Sequence, residues 1–530
     1  MRATDENPED NSSSSSRTQT VQGGNIGEEE EEYGEGLDRT TSSTSVAEAL
    51  SLPREILFVA VVCTAQLFTQ SALGQAISII EIIGSHFHIT HPAELAWFIA
   101  GYSLTVGTFI LFSGRLGDVF GYKPLFLIGM AWFSLWSLVC GLSAYSNHVL
   151  FIFARVLQGI GPAVVLPNSL AIFGSTYRPG KRKNMMFAIF GATAPGGSIL
   201  GSLFSAVFAE FAWWPWTFFT LALVLAAVVV LGYYAIPAVP SRRKRPDGFW
   251  EILRAVDAAG TVLGVTGLVL VNVAWNQAPI VGWSYAYVYV LLIIGVLFLA
   301  AFFVYETRFA PCPLVDFGAL DGGEVSFVLA AVACGWATFG IWFFYLWQFL
   351  LNIRGATPLL ATAMTVPVAV SGAVAALVTG VVLHRVGAPA IMTASLVAFT
   401  LGTVLVATCP AGQTYWAQTF VSIVVMPWGM DMSFPAATLL LSNSLPRESQ
   451  GVAASLVNTV VNYSISLGLG FAGTVEVHVN EGGRNLLRGY RGGLYFGIGL
   501  AGLGILVCVG YLVKHRGRPQ GANNGVECKS

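Results

Sequence analysis

Fourteen apolar stretches, each near the length of a membrane span, leave this chain few ways to fold. They run at about 56 to 83, 95 to 114, 124 to 143, 149 to 173, 184 to 209, 213 to 236, 257 to 275, 284 to 305, 326 to 351, 358 to 383, 389 to 409, 415 to 441, 450 to 475 and 492 to 513. In hydrocarbon there is no water to satisfy a backbone amide or carbonyl, so such a stretch must close its own hydrogen bonds as an α-helix. About 20 apolar residues cross a bilayer core. The expected fold is therefore all-α, a polytopic membrane protein with 14 transmembrane helices. Only 11% of the 530 residues are charged, against roughly a quarter in soluble domains. With a mean hydropathy of +0.67, the lipid bilayer is the expected solvent of this chain. An even number of spans puts both ends on one side.

The polar remainder sets the orientation. Residues 1–52 hold a Ser run (Ser12 to Ser16) and an acidic run (Glu28 to Glu32) with few apolar residues, too little to bury a core, so a disordered tail is expected. No apolar stretch precedes Ile56, so the tail should stay in the cytosol and the first span should act as its own insertion signal. With the N-terminus inside, the short inner loops and the C-terminal tail carry eighteen Lys and Arg, including Arg242, Arg243, Lys244, Arg245 and Arg447, and the outer loops carry four. Positive charge is retained on the cytosolic side, so both termini are expected there. Trp213, Trp214 and Trp216 fall where an outer aromatic belt would lie.

Seven Cys are scattered through apolar runs without ligand spacing and read as small buried hydrophobes. His86, His88 and His91 have no acid or thiol to complete a shell, and an exposed loop is expected there in place of a metal site. A net charge of −2 gives no support for a nucleic-acid partner.

The chain also repeats itself. Gly114-Arg-Leu-Gly-Asp118-Val-Phe-Gly121 follows the second span, and Gly380-Val-Val-Leu-His384-Arg-Val-Gly387 closes the tenth, a shift of 266. Gly161 and Pro167 in the fourth span match Gly429 and Pro435 in the twelfth, a shift of 268. Two six-helix halves follow, with the seventh and eighth spans left over between them. The expected division is a tail at 1–52, a bundle at 53–236, an inserted helix pair with a basic cytosolic linker at 237–310, a second bundle at 311–514 and a tail at 515–530.

These motifs carry a resemblance. Gly114 to Lys123 resembles the loop signature between helices two and three of the major facilitator superfamily, and Arg155-Val-Leu-Gln158-Gly159-Ile-Gly161 resembles the fourth-helix signature of its proton-coupled drug antiporters. Gly191-Ala-Thr-Ala-Pro195-Gly196-Gly197-Ser-Ile-Leu-Gly201 is similar to the antiporter motif, with Ala194 in place of a glycine. Trp275 to Trp283 and Met426 to Pro435 resemble the aminotriazole-resistance and boron-efflux branch of the fungal fourteen-helix group, to which low-affinity ammonium carriers are also similar. Over residues 53–514 the resemblance implies two bundles related by a parallel repeat (6 + 2 + 6), with substrate near the bilayer midplane between them. It also associates the Pro195 bend with export.

Residue chemistry adds candidates. Gly114, Gly117 and Gly121 remove side chains where helices must pass closely, and Asp118 and Lys123 place charge at a helix end; contacts of this kind latch one conformation and break in another. Arg155, about seven residues into its span, is roughly 10 Å below the outer surface. A guanidinium there needs a partner or a wet cavity. It cannot release a proton; its work would be to attract a carboxylate in one conformation and so couple protonation to transport, with snorkelling to the interface the other reading. The first span, Ser71 to Glu81, lacks the Asp that such antiporters carry. Asp431, in mid-span between Pro427 and Pro435, is the remaining candidate proton carrier, or a hydrogen-bond partner of freed backbone groups. Glu81 and Glu210 read as hydrated helix ends, and Asp257 as a helix cap. Gln66 with Gln70 and Asn458 with Asn462 share helix faces four residues apart. With Gln158, Trp342, Tyr345 and Gln348 they are candidates for a substrate cavity, where apolar walls carry a few polar groups. The polar pairs fit interhelical hydrogen bonding equally well.

The function read from these residues is secondary active transport, proton-coupled efflux of small toxic compounds or secondary metabolites. The alternative is uptake or low-affinity movement of ammonium or borate, and a reading of another class is a transporter-like sensor. No convergent acid, base and nucleophile set is present, so no enzyme and no cofactor are expected. The expected partners are a small-molecule substrate, protons and lipid, for a monomer in the plasma membrane, with the vacuolar membrane as the alternative. Epitope tags at the two ends should both become reachable by antibody only after the cell is permeabilised; one tag reachable in intact cells contradicts the orientation.

Overall fold

The computed structural model describes residues 51–515 apart from 90, 179, 238–247, 312, 316–323 and 444–449. The expected tails before residue 51 and after 515 lie outside the described residues, as do the linker residues Arg242, Arg243, Lys244 and Arg245 and the basic Arg447.

Fourteen helices among the described residues are long and apolar enough to cross a membrane. They are α1 (Leu52–Ser78), α2 (Ala93–Phe120), α3 (Tyr122–Tyr145), α4 (His148–Thr176), α5 (Lys181–Phe211), α6 (Trp216–Ala235), α7 (Ala258–Val281), α8 (Ala286–Arg308), α9 (Val325–Ile353), α10 (Pro358–Leu383), α11 (Ala388–Ala407), α12 (Gln418–Leu441), α13 (Ala454–Val479) and α14 (Leu486–Lys514). One helix answers each expected span. The start of α1 and the end of α14 share one side, called here the terminal face; the other is the far face.

The boundaries have local causes. Asn147 caps α4 by accepting from the Leu150 amide at 2.8 Å, and Thr357 caps α10 through Leu360 at 3.3 Å, each satisfying an orphan donor of the first turn. Proline stands in the first turn of α10 and α11, where its missing N–H costs nothing. The stretch from Gly114, expected as a loop, is helical up to Phe120. Only Gly121 separates α2 from α3, at φ 94° and ψ 145°. At the repeated position Gly387 separates α10 from α11 with φ 87° and ψ 149°. A side chain is strained in that conformation, which is why glycine stands at both turns.

Packing repeats as the sequence does. A side-chain carbon added at Gly161 would meet Phe133 of α3, and one added at Gly429 would meet Phe399 of α11; Phe133 and Phe399 are themselves 266 residues apart. In the first half α1 packs on α5, α2 on α4, and α3 on α4 and α6; in the second α9 packs on α13, α10 on α12, and α11 on α12 and α14. The neighbours correspond helix by helix. Across the halves α2 meets α13 and α5 meets α10, while the inserted helices α7 and α8 pack on each other and α7 lies against α13 and α2.

Small residues make the tightest of these contacts. Added carbons at Gly197 and Gly201 of α5 would strike the backbone carbonyls of Leu67 and Ser71, and one at Gly74 would strike that of Ser198, so α1 and α5 touch backbone to backbone. Ser202 and Ser205 then reach the Gly74 and Gln75 carbonyls at 3.0 and 2.7 Å. Gly191 and Gly196 have open space around them. Gly197→Ala should therefore lower stability by about 1–3 kcal/mol, the usual cost of overpacking, while Gly196→Ala should be neutral or stabilising by up to about 1 kcal/mol through helix propensity. Thermal unfolding of the two purified variants in detergent checks this, and equal midpoints contradict it.

Candidate functional site

Arg155 has no solvent-accessible surface. Its Nε donates to the Phe98 carbonyl of α2 at 3.0 Å and its Nη2 to the Ala72 carbonyl of α1 at 3.0 Å. Nη1 donates to Gln158 Oε1 one turn along α4, and Gln158 Nε2 donates to Ser137 Oγ of α3 at 2.7 Å. The guanidinium also stacks 4.6 Å from the Tyr102 ring centroid. Three helices are thus joined by one planar, forked group, a task an ammonium cannot perform, and Gln158 extends the network to α3. None of these partners is a carboxylate. The charge is carried by carbonyl dipoles and an aromatic face, so the coupling acid expected beside it is not there in this conformation.

Asp431 lies about two turns deeper in its helix than Arg155 in α4. Pro427 and Pro435 interrupt the backbone bonds of α12 on either side of it. Gly372 of α10 supplies the space it occupies: an added carbon there would lie 2.8 Å from Asp431 Oδ2, 3.3 Å from Pro195 Cγ of α5 and 3.7 Å from Pro427. The carboxyl therefore sits where α5 of one half crosses α10 of the other, against the proline of the antiporter-like motif. Its Oδ2 is buried and has no hydrogen-bond partner. A buried acceptor without a donor is rare in folded proteins.

The halves are bridged at the far face. The last turn of α9, Phe349–Ile353, is π-helical, which turns Asn352 toward the first half. Asn352 Nδ2 donates to Glu81 Oε1 at 3.0 Å, with Gln348 Oε1 and Tyr490 Oη at 2.9 and 3.1 Å. Glu210 Oε1 accepts from the Leu359 amide at 2.8 Å, and Thr362 Oγ1 donates to the Ser202 carbonyl at 3.4 Å. Glu81 and Glu210, read from sequence as hydrated helix ends, are partly exposed and exposed respectively, and each also bonds across the two halves. Toward the terminal face a carbon added at Gly191 or Gly380 would have nothing within 4 Å.

Glu476 was missed by the sequence reading because α13 was expected to stop at 475, one residue short. It is 3% exposed and accepts from Tyr345 Oη at 2.8 Å. Its appearance in an apolar run four residues longer was the available signal. Together with Ala93, Asn276, Pro279 and Gly473 it lines a narrow cleft between α2, α7, α9 and α13.

The remaining candidates divide by exposure. Gln66, Gln70, Asn458 and Asn462 are half-buried, with Asn458 and Asn462 each donating back to a carbonyl of α13 at 3.0 Å. Gln158, Trp342, Tyr345 and Gln348 are buried, and Trp342 Nε1 is held by Ser422 Oγ at 2.8 Å. Near the terminal face, Gly114 faces Ser455 of α13 at 3.6 Å, and Gly117 sits against Asn168 of α4. Asp118 accepts from Tyr122 Oη at 2.8 Å. Lys123 Nζ donates to the Tyr233 and Ile236 carbonyls at 2.8 and 2.5 Å, capping the C-terminus of α6. Trp214, placed in the belt by sequence, is 3% exposed and packs among Phe87, Phe151 and Phe218. His86 stacks on it, and no cluster of three His, Cys, Asp or Glu among the described residues is placed to hold a metal.

Comparison with known proteins adds the following. The family model described as Major Facilitator Superfamily matches residues 59–323 and 325–527. A low affinity ammonium transporter of Saccharomyces cerevisiae is 54% identical over 87% of this chain and 89% of that protein. The efflux pump terJ of Aspergillus terreus is 48% identical over 90% of this chain and 92% of that one. Among solved structures, a POT family transporter in complex with a thioalcohol conjugated peptide superposes with a TM-score of 0.65 over 88% of this chain and 96% of that chain, at 14% identity, a likeness of fold alone.

Arg155 is the residue whose replacement the geometry judges most sharply. Arg155→Lys keeps the charge but cannot span the Ala72 and Phe98 carbonyls, each a charge-assisted bond of about 1.5–3 kcal/mol. Transport should fall at least about tenfold and the unfolding midpoint should drop, and Arg155→Ala should be worse in both. Flux in sealed vesicles and thermal unfolding check this; unchanged flux in Arg155→Lys contradicts it.

Proposed function

This chain belongs to the major facilitator superfamily, and on that premise we propose that it exchanges protons for small toxic or natural-product molecules, moving them out of the cell. Membership makes it a multi-pass membrane transporter of small molecules. The observation that carries the exchange reading is Asp431 Oδ2, buried and unpartnered at the crossing of α5 and α10, beside Pro195. An acid at the seam between two moving halves can take a proton in one conformation and lose it in the other. The 48% identical relative named as an efflux pump supports export.

In this reading the bundles at 53–236 and 311–514 rock about the α2/α13 and α5/α10 contacts, with 237–310 as the inserted pair. The terminal face is cytosolic, on the distribution of Lys and Arg, and the Asn352 to Glu81 and Glu210 to Leu359 bonds close the outer side. The glycines at 114, 117 and 121, with Asp118, Lys123 and Pro195, set the helix contacts that change. Gln66, Gln70, Asn458 and Asn462 present polar groups from both halves to a substrate, while Gln158, Trp342, Tyr345 and Gln348 hold the walls in place. The carrier works as a monomer in the plasma membrane.

A second reading, low-affinity movement of ammonium, is favoured by the 54% identical ammonium transporter. Flux of amphipathic toxicants, ammonium and borate, compared in sealed vesicles with and without a proton gradient, separates the two. Asp431→Asn should reduce gradient-driven flux at least about tenfold and flatten its pH profile. A pH profile and rate equal to the unmodified protein's remove Asp431 from the mechanism, and flux indifferent to the gradient removes proton exchange.

A further inference from the structure

A second pair of buried acids lies away from Asp431, at the terminal-face base of the inserted helices. Asp257 precedes α7 with φ 45° and ψ 61°, a left-handed conformation that non-glycine residues seldom adopt. Its Oδ1 accepts from the Gly260 amide at 3.2 Å, while Oδ2 has no partner. Glu306 stands in the last turn of α8, and neither of its oxygens has a hydrogen-bond partner. The two residues are 3% and 5% exposed. A carbon added at Gly260 would strike Asp257 Oδ2 and Glu306 Oε1 together, so the two free oxygens border one small space.

Arg115 at the end of α2 is the cation that reaches this region, and its Nη2 is taken by the Pro313 carbonyl. Tyr305 on α8 is the other titratable neighbour, with its hydroxyl approaching Asp257, and the amides of Leu314 and Val315 approach Glu306 from the connecting segment, none of them completing a hydrogen bond. Arg254, on the short helix Phe249–Ala255 that leads into Asp257, is exposed, and no Lys, Arg or His among the described residues forms an ion pair with either acid. Two adjacent carboxyl groups out of water cannot both be charged unless a cation lies between them. A hard cation such as Ca2+ or Mg2+ asks for about six oxygen ligands, whereas these two side chains offer fewer, one of their oxygens already accepting from the Gly260 amide. A proton asks only for the two oxygens.

We propose that Asp257 and Glu306 form a proton-binding site in which one proton is shared between the two buried carboxyl groups, independent of Asp431. The site ties the base of α7 to the base of α8. It also adjoins Pro313, whose carbonyl accepts from Arg115 Nη2 at the end of α2, so its occupancy bears on the contact between the signature stretch and the segment leaving the inserted pair.

The test uses the purified full-length chain in lipid nanodiscs, with sodium, potassium or ammonium as the sole salt cation. As pH rises the folded protein must surrender a proton that the unfolded chain has already lost, so stability falls with pH in that window. Unmodified protein should release about one proton more per chain than Asp257→Asn or Glu306→Gln across the transition. Its unfolding midpoint should fall with rising pH while that of Glu306→Gln, whose amide can make the same bond, stays level, whatever the salt. Asp257→Asn retains an oxygen for the Gly260 cap and serves where Glu306→Gln does not fold. The extra proton should persist in Asp431→Asn, which separates this site from the transport acid. Equal proton release in all proteins overturns the proposal, as does a midpoint that follows the identity of the salt cation at constant pH.

Discussion

A guanidinium in hydrocarbon must be surrounded by acceptors, and Arg155 takes them from neighbouring helices, adding to the bonds of Tyr102 Oη to the Thr69 carbonyl at 2.9 Å and Trp132 Nε1 to the Leu157 carbonyl at 2.7 Å. Lipid tails are as apolar as leucine, so burying side chains against one another gains little over burying them in lipid. What selects one packing is close backbone approach and internal hydrogen bonds. Arg155 with Gln158 joins α1, α2, α3 and α4, and Gly74, Gly197 and Gly201 join α1 to α5. The two halves meet at two seams, α2 against α13 and α5 against α10.

The two halves share neighbours but not chemistry. A shift of 266 to 268 residues carries Arg155 to 421–423, where Ser422 holds Trp342 and no cation stands. The second half instead places an acid, Asp431, at the seam. The inserted pair reinforces the seam: Ser466 of α13 donates to the Ala100 carbonyl of α2 at 2.8 Å and lies 2.9 Å from Asn272 Oδ1 of α7, and Asn276 reaches the Ser466 carbonyl at 3.2 Å. One serine there serves three helices.

Much of this was legible in the chain. Apolar run length specifies helices in lipid because no alternative closes the backbone hydrogen bonds, so all fourteen expected spans have their helix. The Gly121 and Gly387 repeat was legible because only glycine turns the backbone that way. Gln66 and Asn458 could be marked as polar groups in apolar helices, yet whether such a group faces substrate or a neighbour depends on rotation of the helix, which composition does not state. The bonds of Glu81 and Glu210 across the halves, and Glu476 itself, were not legible, since helix ends drift by a few residues and a residue near an end is wet or buried according to what stands opposite.

The sequence by itself determined that the chain spans a membrane fourteen times, that it is built from a repeated half, and that Arg155 and Asp431 needed special surroundings. Only the tertiary structure decided what those surroundings are: carbonyls for Arg155, an unpartnered crossing beside Pro195 for Asp431, and a shared space for Asp257 with Glu306. The reason is physical. Helix formation in lipid is a local requirement met by each segment alone, whereas the partner of a buried charge comes from residues tens to hundreds of positions away.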